Sequence, residues 1–372
     1  MAEGLTSCST GRCDDMPDQD FADGYLRYVR HKLIFIIAAL AILAIAAGIS
    51  CLVDGRPIGV LDVYRIIWEH LTGAKYEYAT PEYWDDFVVC QMRLPRTVLA
   101  IIAGSSLAVC GAVMQSIMSN PLADPYTTGM SSGACLGAII AIVMGFAFTG
   151  PSMYGIVGMS FLVALIPAFV VILVSRVVST SPATLILMGT IMSYMFGAVN
   201  TLILVHQEGE TLSAAYLWTI GSLDNVVWSD LLVPGIVSVV GCIAMLAMSG
   251  KLNVMMMGDD QARSMGLDVD NFRTVLLLAM SVMVASIISF TGILGFVGLV
   301  APHIVRMAIG SDNKYVIPAS MAFGSALLLV TDTIARLVVY PYEIPVGIIL
   351  MFIGGPLFLF VVVRKRGYGG IY

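Results

Sequence analysis

The chain contains three long stretches without a charged side chain, and these limit its possible folds more than any other feature. No Asp, Glu, Lys or Arg occurs between Asp124 and Arg176, between Arg176 and Glu208, or between Arg273 and Arg306. Each gap exceeds the roughly 20 apolar residues that cross a bilayer as a helix. Charged residues make up 12% of the sequence, about half of the roughly 25% that is usual in soluble domains. The sequence therefore predicts an integral membrane protein.

The apolar runs are predicted to be helices, because hydrocarbon offers no partner for an unpaired backbone amide and the alternation of a barrel strand is missing. Gly, Pro and polar clusters separate the runs. We predict an all-α membrane domain over residues 33–366, between a polar cytoplasmic tail at 1–32 and a short cytoplasmic tail at 367–372. The ten predicted membrane helices are Leu33–Val53, Thr97–Met118, Thr128–Phe148, Met153–Val174, Ala183–His206, Asp230–Ser249, Phe272–Phe290, Ile293–Ala308, Val316–Leu337 and Pro345–Val363.

Ten crossings place both termini on one side of the membrane, and the positive charges indicate which side. Of the 19 Lys and Arg residues, six lie outside when the N-terminus is cytoplasmic, and the other 13 lie inside. This bias follows the positive-inside rule. We therefore predict a multi-pass protein of the inner (cytoplasmic) membrane with both termini in the cytoplasm. The six outer residues are Arg56, Arg65, Lys75, Arg93, Arg96 and Arg336.

The polar leader gives no typical zinc-site pattern, and the overall charge argues against nucleic acid as a partner. Cys8 and Cys13 form a C-x4-C pair without a second pair, which is not typical of a zinc site, and the surrounding composition favours a disordered tail. The other cysteines lie mostly in apolar runs, where Cys acts as a small hydrophobe. A formal net charge of -6 offers no basic surface for nucleic acid.

The common nucleotide-binding and catalytic motifs are missing from the sequence. Gly250-Lys251 lacks the upstream glycine and the following Ser or Thr of a phosphate loop. Gly129-Met-Ser-Ser-Gly133 fits G-x-S-x-G, but a nucleophile elbow follows a strand, whereas this segment opens a membrane helix. The four histidines lie far apart, without ligand-like spacing. We predict no catalytic residue, no metal ligand and no cofactor in this chain, which then has no ATPase site of its own.

An ion-driven transporter needs a titratable group near the middle of the membrane. The nearest candidates are Asp332 and Arg336, four residues apart toward the outer end of the ninth predicted helix. Two interpretations remain open: an (i, i+4) ion pair that faces the bundle, or an Arg336 exposed at the outer mouth. The scarcity of charge favours a pathway driven by a separate motor, with an ion-gradient-driven secondary carrier as the alternative.

Two polar segments between the membrane helices have helical patterns of their own. In the inner loop Gly250–Asn271, the acids Asp259 and Asp260 suit the start of a short helix and Gly266 suits its end. This helix is either a solvated loop element or a docking knob for a cytoplasmic partner. On the outer side, Val60–Trp68 has apolar residues at helical spacing and predicts a helix that lies on the membrane face.

Several motifs together resemble the FecCD-type permease family, whose members form the membrane-spanning subunits of ABC importers for iron-siderophores, haem and cobalamin. The resemblance extends from about Leu33 to Arg366, and the motifs keep the family's order. They are Arg93-Leu-Pro-Arg96, Gly111-Ala-Val-Met-Gln115, Asn120-Pro-Leu-Ala-Asp-Pro125, Gly258-Asp-Asp-Gln-Ala-Arg-Ser-Met-Gly266, Gly295-Phe-Val-Gly-Leu-Val-Ala-Pro-His-Ile-Val-Arg306, Asp332-Thr-Ile-Ala-Arg336 and Glu343-Ile-Pro-Val-Gly347.

The resemblance implies a type II ABC importer permease fold of ten helices, with two copies forming a homodimer around the translocation path. It also implies an extracytoplasmic substrate-binding protein and two cytoplasmic ATPase subunits, which would hold the ATP-Mg. The cargo would be an iron-siderophore, cobalamin or haem-type chelate.

The resemblance also assigns three groups of residues. The first couples to the ATPase, the second meets acidic residues of the binding protein, and the third has a structural or gating role. The coupling residues are Gly258, Asp259, Asp260, Ala262, Arg263, Ser264, Met265 and Gly266. The docking residues are Arg93, Arg96 and Arg336. The structural or gating residues are Gln115, Asn120, Pro121, Asp124, Pro125, Gly295, Gly298, Pro302 and His303.

Overall fold

The computed structural model describes residues 18–53, 58–73, 76–146, 153–178, 181–340 and 342–366, and within these ranges its regular secondary structure is entirely helical, with turns and short links between the helices. The helices are α1 (Asp18–Leu52), α2 (Val60–Leu71), α3 (Pro81–Phe87), α4 (Leu94–Ile117), α5 (Met130–Val143), α6 (Met153–Val178), α7 (Pro182–Leu204), α8 (Gly209–Ile220), α9 (Leu232–Ala247), α10 (Ser249–Met255), α11 (Asp259–Ser264), α12 (Val269–Thr291), α13 (Val297–Ile309), α14 (Asn313–Leu337) and α15 (Val346–Arg366). A π-helical turn, Val88–Arg93, joins α3 to α4.

The predicted all-helical membrane fold is confirmed, and each of the ten predicted membrane helices matches an apolar helix among the described residues. Seven helices are long and apolar enough to cross a membrane, and α5, α13 and α15 are shorter apolar helices. Each predicted span overlaps one of these ten. The chain is therefore a multi-pass membrane protein. We call the end that carries residues 249–268 the inner end and the end that carries residues 221–231 the outer end, after the predicted orientation.

The first helix begins earlier than the sequence predicted. It starts at Asp18 rather than Leu33, so residues 18–32 are helical and only residues 1–17 of the predicted tail lie outside the described ranges. Lys32 explains part of the extension. Its side chain is buried, its ammonium lies 3.8 Å from the carboxylate of Asp312, and it sits over the rings of Tyr28 and Tyr315. A buried ammonium with such partners fixes the helix around it.

The α12–α13 connection also differs from the prediction. The eighth predicted helix begins at Ile293, whereas α13 begins at Val297 after a non-helical link. Gly292 and Phe296 both have a φ of 67°, a conformation that ends a right-handed helix and that a side chain such as phenylalanine rarely adopts. The Phe296 ring lies against Gly354 of α15, where a Cβ would clash with it. The positive φ of Phe296 thus occurs where its ring packs against a residue without a side chain.

Helix α4 forms the centre of the bundle. It packs against α14, α13, α9 and α12. Of its 24 residues, 19 are buried, against three of the 23 in α7. Glycines allow the closest approaches. A Cβ on Gly111 would overlap the backbone carbonyl of Gly298 in α13, and a Cβ on Gly104 would overlap the backbone of Gly324 in α14. Small residues let helix backbones touch in lipid, where apolar area alone does not drive association.

Candidate functional site

Helix α11 lies at the inner end and has the boundaries that its glycines predicted. Gly258 (φ 102°) precedes it and Gly266 (φ 84°) follows it, both in conformations that favour glycine. Ala262 is fully buried, while Arg263 and Met265 are exposed. The helix thus rests on the bundle by one small side chain and presents its other face to solvent. Met265 is 61% exposed and Met257 is 56% exposed, which leaves two apolar side chains uncovered beside the exposed Arg263.

Two ion pairs connect α11 to the start of α12. Arg263 donates to both carboxylate oxygens of Asp270, at 3.0 and 2.9 Å. Both side chains are about half exposed, and a pair of this kind contributes about 0–1 kcal/mol. Arg273 is different because it is buried. It donates to Asp259 at 3.1 and 2.6 Å and to the carbonyl oxygen of Ile117, in the last turn of α4, at 3.2 Å.

Arg273 therefore joins α11 mechanically to the central helix of the bundle. Arg273 is itself a residue of α12. Its guanidinium donates hydrogen bonds to the first turn of α11 and to the end of α4. A displacement of α11 has to move α4 or break charge-assisted hydrogen bonds, each worth roughly 1.5–3 kcal/mol. The coupling role of the motif stays a prediction, and α11 has the exposure and the attachment that such a role needs.

A second buried arginine, Arg306, organises the polar groups of the inner end. Its guanidinium donates to Gln115 Oε1 (3.3 Å), to the Ala112 carbonyl oxygen (2.8 Å) and to Asn313 Oδ1 (2.9 Å). Gln115 in turn donates to the Leu299 carbonyl oxygen at 3.2 Å. These bonds connect α4, α13 and the start of α14. Gln115, predicted as a structural or gating residue, is therefore placed in a buried cross-helix network.

The turn between α4 and α5 holds the next group of predicted residues. Asn120 Oδ1 accepts a hydrogen bond from the Leu122 backbone N–H at 2.9 Å, in the turn that contains Pro121. Asp124 caps the 3-10 turn Pro125–Thr128 and accepts from the Tyr126 N–H at 2.7 Å. Burial raises the pKa of Asp124 to about 6, and the bond from Tyr126 lowers it in part.

The remaining predicted residues of this group belong to α13 and to the link before it. A Cβ on Gly298 would clash with the Pro125 ring, so this glycine lets the 120–128 turn pack onto α13. Gly295 lies in the non-helical link, where a Cβ would meet no neighbour. Pro302 lies inside α13, and the buried His303 ring packs edge-on against Phe358 of α15, with ring centroids 5.9 Å apart. A structural role fits these positions.

The three arginines predicted to dock a binding protein lie together at the outer end, and all are buried. Arg93 is 1% exposed, Arg96 9% and Arg336 4%. Arg93 donates to the Cys51 carbonyl oxygen at 3.0 Å. Arg336 donates to the carbonyl oxygens of Ser50 and Val53 at 3.1 and 2.8 Å, which are the orphan carbonyls at the end of α1. Their docking role stays a prediction, and it would have to be carried out from buried positions.

Asp332 is the buried carboxylate on which two of these arginines converge. It is 0% exposed, Arg96 donates to it from Nε and Nη2 at 3.1 and 2.8 Å, and Arg336 Nε lies 3.3 Å away. Asp332 and Arg336 therefore form an ion pair inside the bundle. The other interpretation, an Arg336 exposed at the outer mouth, is wrong. Arg96 and Arg336 thus neutralise Asp332, so this carboxylate is not free to bind a cation.

Two acidic loop residues complete the outer cluster. Arg96 Nη1 lies 2.7 Å from Asp224 and 2.6 Å from Glu343. Burial and a hydrogen bond shared with Asp224 raise the pKa of Glu343 above its usual range. Burial opposes ionisation of Asp224 as well, but the bond to Glu343 and the charge of Arg96 keep its pKa below the usual value. Sequence reasoning missed Asp224, which lies in a loop without a motif, far from Arg96 in the chain.

Comparison with known proteins decides the family. The sequence profile described as the FecCD transport family matches residues 33–364. The chain belongs to this family. It is 38% identical to the cobalamin import system permease protein BtuC of Halobacterium salinarum, over 87% of each chain. It is 33% identical to the hemin transport system permease protein HmuU of Yersinia pestis, over 91% of this chain and 96% of that one.

A solved structure extends the comparison to the fold. The inward-facing structure of a transporter assigned to the metal-chelate type of ABC transporter superposes with a TM-score of 0.76. The two sequences are 28% identical, and the match covers 88% of this chain and 98% of the other. The chain therefore shares the fold of that transporter.

Proposed function

We propose that the chain is the membrane-spanning permease subunit of a binding-protein-dependent ABC importer, and that it moves a metal chelate or a corrinoid into the cytoplasm. The named relatives are permeases for cobalamin and hemin, and the family resemblance adds an iron-siderophore as a third candidate cargo. The observation that carries the proposal is α11, an exposed helix between two glycines whose buried contact, Asp259 with Arg273, leads directly to α4. Such an element can receive work from a partner and pass it to the bundle.

The energy source in this proposal is a pair of ATPase subunits that bind α11 at the cytoplasmic face and hold the ATP-Mg. The uncovered Met257 and Met265 suit a groove on that partner, because apolar side chains at the centre of an interface contribute most of its affinity. Arg263 would add orientation rather than affinity. This assignment places the inner end in the cytoplasm and both termini with it, in the inner membrane.

A second copy of the chain completes the path in this proposal. Helix α7 is long and apolar, yet Leu187, Tyr194 and Leu202 are each more than half exposed. Lipid or another copy would cover them equally well in energy, and the family resemblance favours a homodimer with the translocation path at its axis. An extracytoplasmic binding protein would deliver the cargo at the outer end.

A charge-reversal pair tests the coupling role of α11. Arg263→Glu and Arg65→Glu each remove one exposed arginine from a short helix and break exposed ion pairs. Arg263 pairs with Asp270 at 2.9 Å. Arg65 pairs with Asp62 at 3.1 Å and more weakly with Glu69 at 3.9 Å. Both losses cost about 0–1 kcal/mol of stability. The two variants therefore differ mainly in location, since Arg263→Glu alters the inner end and Arg65→Glu alters the outer end.

The assay is ATP hydrolysis by the purified complex in proteoliposomes, with and without binding protein. We expect Arg263→Glu to lower the stimulated rate at least 10-fold, while Arg65→Glu keeps the wild-type rate. Unchanged stimulation in Arg263→Glu would contradict the coupling role. Uptake of cobalamin or a ferric siderophore driven by an ion gradient, without ATP or ATPase subunits, would instead identify a secondary carrier.

A further inference from the structure

Three potential metal ligands meet at the outer end, outside every site described above. His70, Asp86 and Cys90 each offer one ligand atom, and these atoms all lie within 4.8 Å of one another. His70 Nδ1 is 2.9 Å from Asp86 Oδ1. No metal ligand was predicted from the sequence, because the histidines are far apart. Spacing gives no signal for this group, since its members come from two segments and include only one histidine.

The backbone explains why these three side chains meet. Asp86 and Cys90 lie four residues apart where α3 continues into the π-helical turn, so both side chains are on one face. His70 comes from the last turn of α2. Val63 and Ile66 of α2 are buried in the same apolar cluster as Cys90, and this packing holds α2 against the turn. The juxtaposition therefore rests on a packed contact between two helices.

The chemistry of the three groups fits a zinc-class ion. Zinc binds imidazole nitrogen, carboxylate oxygen and thiolate sulfur at about 2.0–2.3 Å, and its tetrahedral ligand atoms are then about 3.3–3.8 Å apart. The present spread of up to 4.8 Å closes to that range with small side-chain rotations. The His70 side chain is 41% exposed and can rotate, while that of Asp86 is 17% exposed.

We propose that His70, Asp86 and Cys90 bind one zinc-class divalent ion at the outer end of the bundle, with a water or an external ligand in the fourth position. Cys90 is 1% exposed and forms the floor of the site. Its backbone is fixed by the Trp228 indole, which donates to the Cys90 carbonyl oxygen at 2.8 Å. The ion would enter from the solvent side, past His70, and would fasten α2 to the helix that continues into α4.

Cobalt provides a direct test, because Co²⁺ replaces zinc and a thiolate ligand gives it a charge-transfer band in the near ultraviolet. The full chain is purified in detergent with Cys8→Ser and Cys13→Ser, so that the thiols of the N-terminal segment do not contribute. We expect one Co²⁺ per chain, the charge-transfer band, and its loss on addition of Zn²⁺. His70→Ala should weaken Co²⁺ binding by at least the ~10- to 100-fold that loss of an outer-shell partner costs.

A matched pair of cysteine variants makes the test specific. Cys90→Ser should abolish the band, whereas Cys51→Ser, in the same apolar cluster, should keep it. Wild-type elution volume and helical circular dichroism in both variants exclude misfolding. The proposal is overturned if no band forms, if the band survives Cys90→Ser, or if Cys51→Ser removes it equally. None of these residues lies in α11, so this result and the coupling test are independent.

Discussion

Removal of the negative charge at Asp332 is the sharpest test of how the outer end is held together. Asp332→Asn keeps the shape of the side chain but leaves Arg96 and Arg336 with no carboxylate between them, at a position that is 0% exposed. Deleting one partner of a buried ion pair costs about 3–5 kcal/mol, because the remaining charge stays desolvated. Arg96 retains Asp224 and Glu343, at 2.7 and 2.6 Å, so we expect the lower limit, about 3 kcal/mol.

Thermal unfolding of the purified chain in a fixed detergent measures this loss. A change of about 3 kcal/mol corresponds to a fall in Tm on the order of 5 °C for a chain of this size. Asp62→Asn is the matched control, since its pair with Arg65 has side chains that are 50% and 64% exposed and contributes about 0–1 kcal/mol. The reasoning is refuted if Asp332→Asn unfolds within about 1 °C of the wild type, as the control should.

Three further outcomes are expected. Gly111→Ala should lower stability by about 1–3 kcal/mol or more, because the new methyl group meets the backbone of α13 rather than a side chain that can move. Its control is Gly158→Ala, where a Cβ meets nothing within 4 Å. The control should be neutral or stabilising in the same Tm assay. Asp124→Asn should be more stable than the wild type at pH 8 by up to about 3 kcal/mol, because the folded state disfavours the ionised carboxylate. This advantage should shrink as the pH falls through about 6 toward 4. Equal Tm differences between variant and wild type at pH 8 and pH 4 would contradict the raised pKa. Arg273→Gln should uncouple ATP hydrolysis from transport while the ATPase subunits still co-purify, because the tie between Asp259 and α4 is lost; normal uptake per ATP would exclude Arg273 as the link.

The membrane helices could be predicted from the sequence because their signal is local. An uncharged run longer than a bilayer crossing has one structural solution, and the Gly and Pro breaks mark its ends. The α11 boundaries were predicted for the same reason, since Gly258 and Gly266 act on the backbone at their own positions. The departures occurred where a distant partner decides the outcome, as at Lys32, whose burial depends on Asp312 and Tyr315, and at Phe296, whose ring meets Gly354.

The candidate site shows the same division. The α11 motif could be recognised in the sequence, but the buried link from Asp259 through Arg273 to the end of α4 joins segments that no periodicity relates. Arg93, Arg96 and Arg336 were predicted to lie at one end of the bundle and they do lie together, yet their burial could not be predicted. It depends on the carbonyl groups at the end of α1 and on Asp224, which carries no motif of its own.

The contact between Gly111 and Gly298 limits how this chain can vary. A cavity in a core can be refilled by a larger neighbour, but a contact between two backbones has no such remedy, because neither residue can be made smaller. A side chain gained at one position cannot be accommodated by any exchange at the other. We therefore expect second-site suppressors of Gly111→Ala to lie elsewhere. They should be substitutions to smaller residues that let α4 and α13 move apart as rigid bodies.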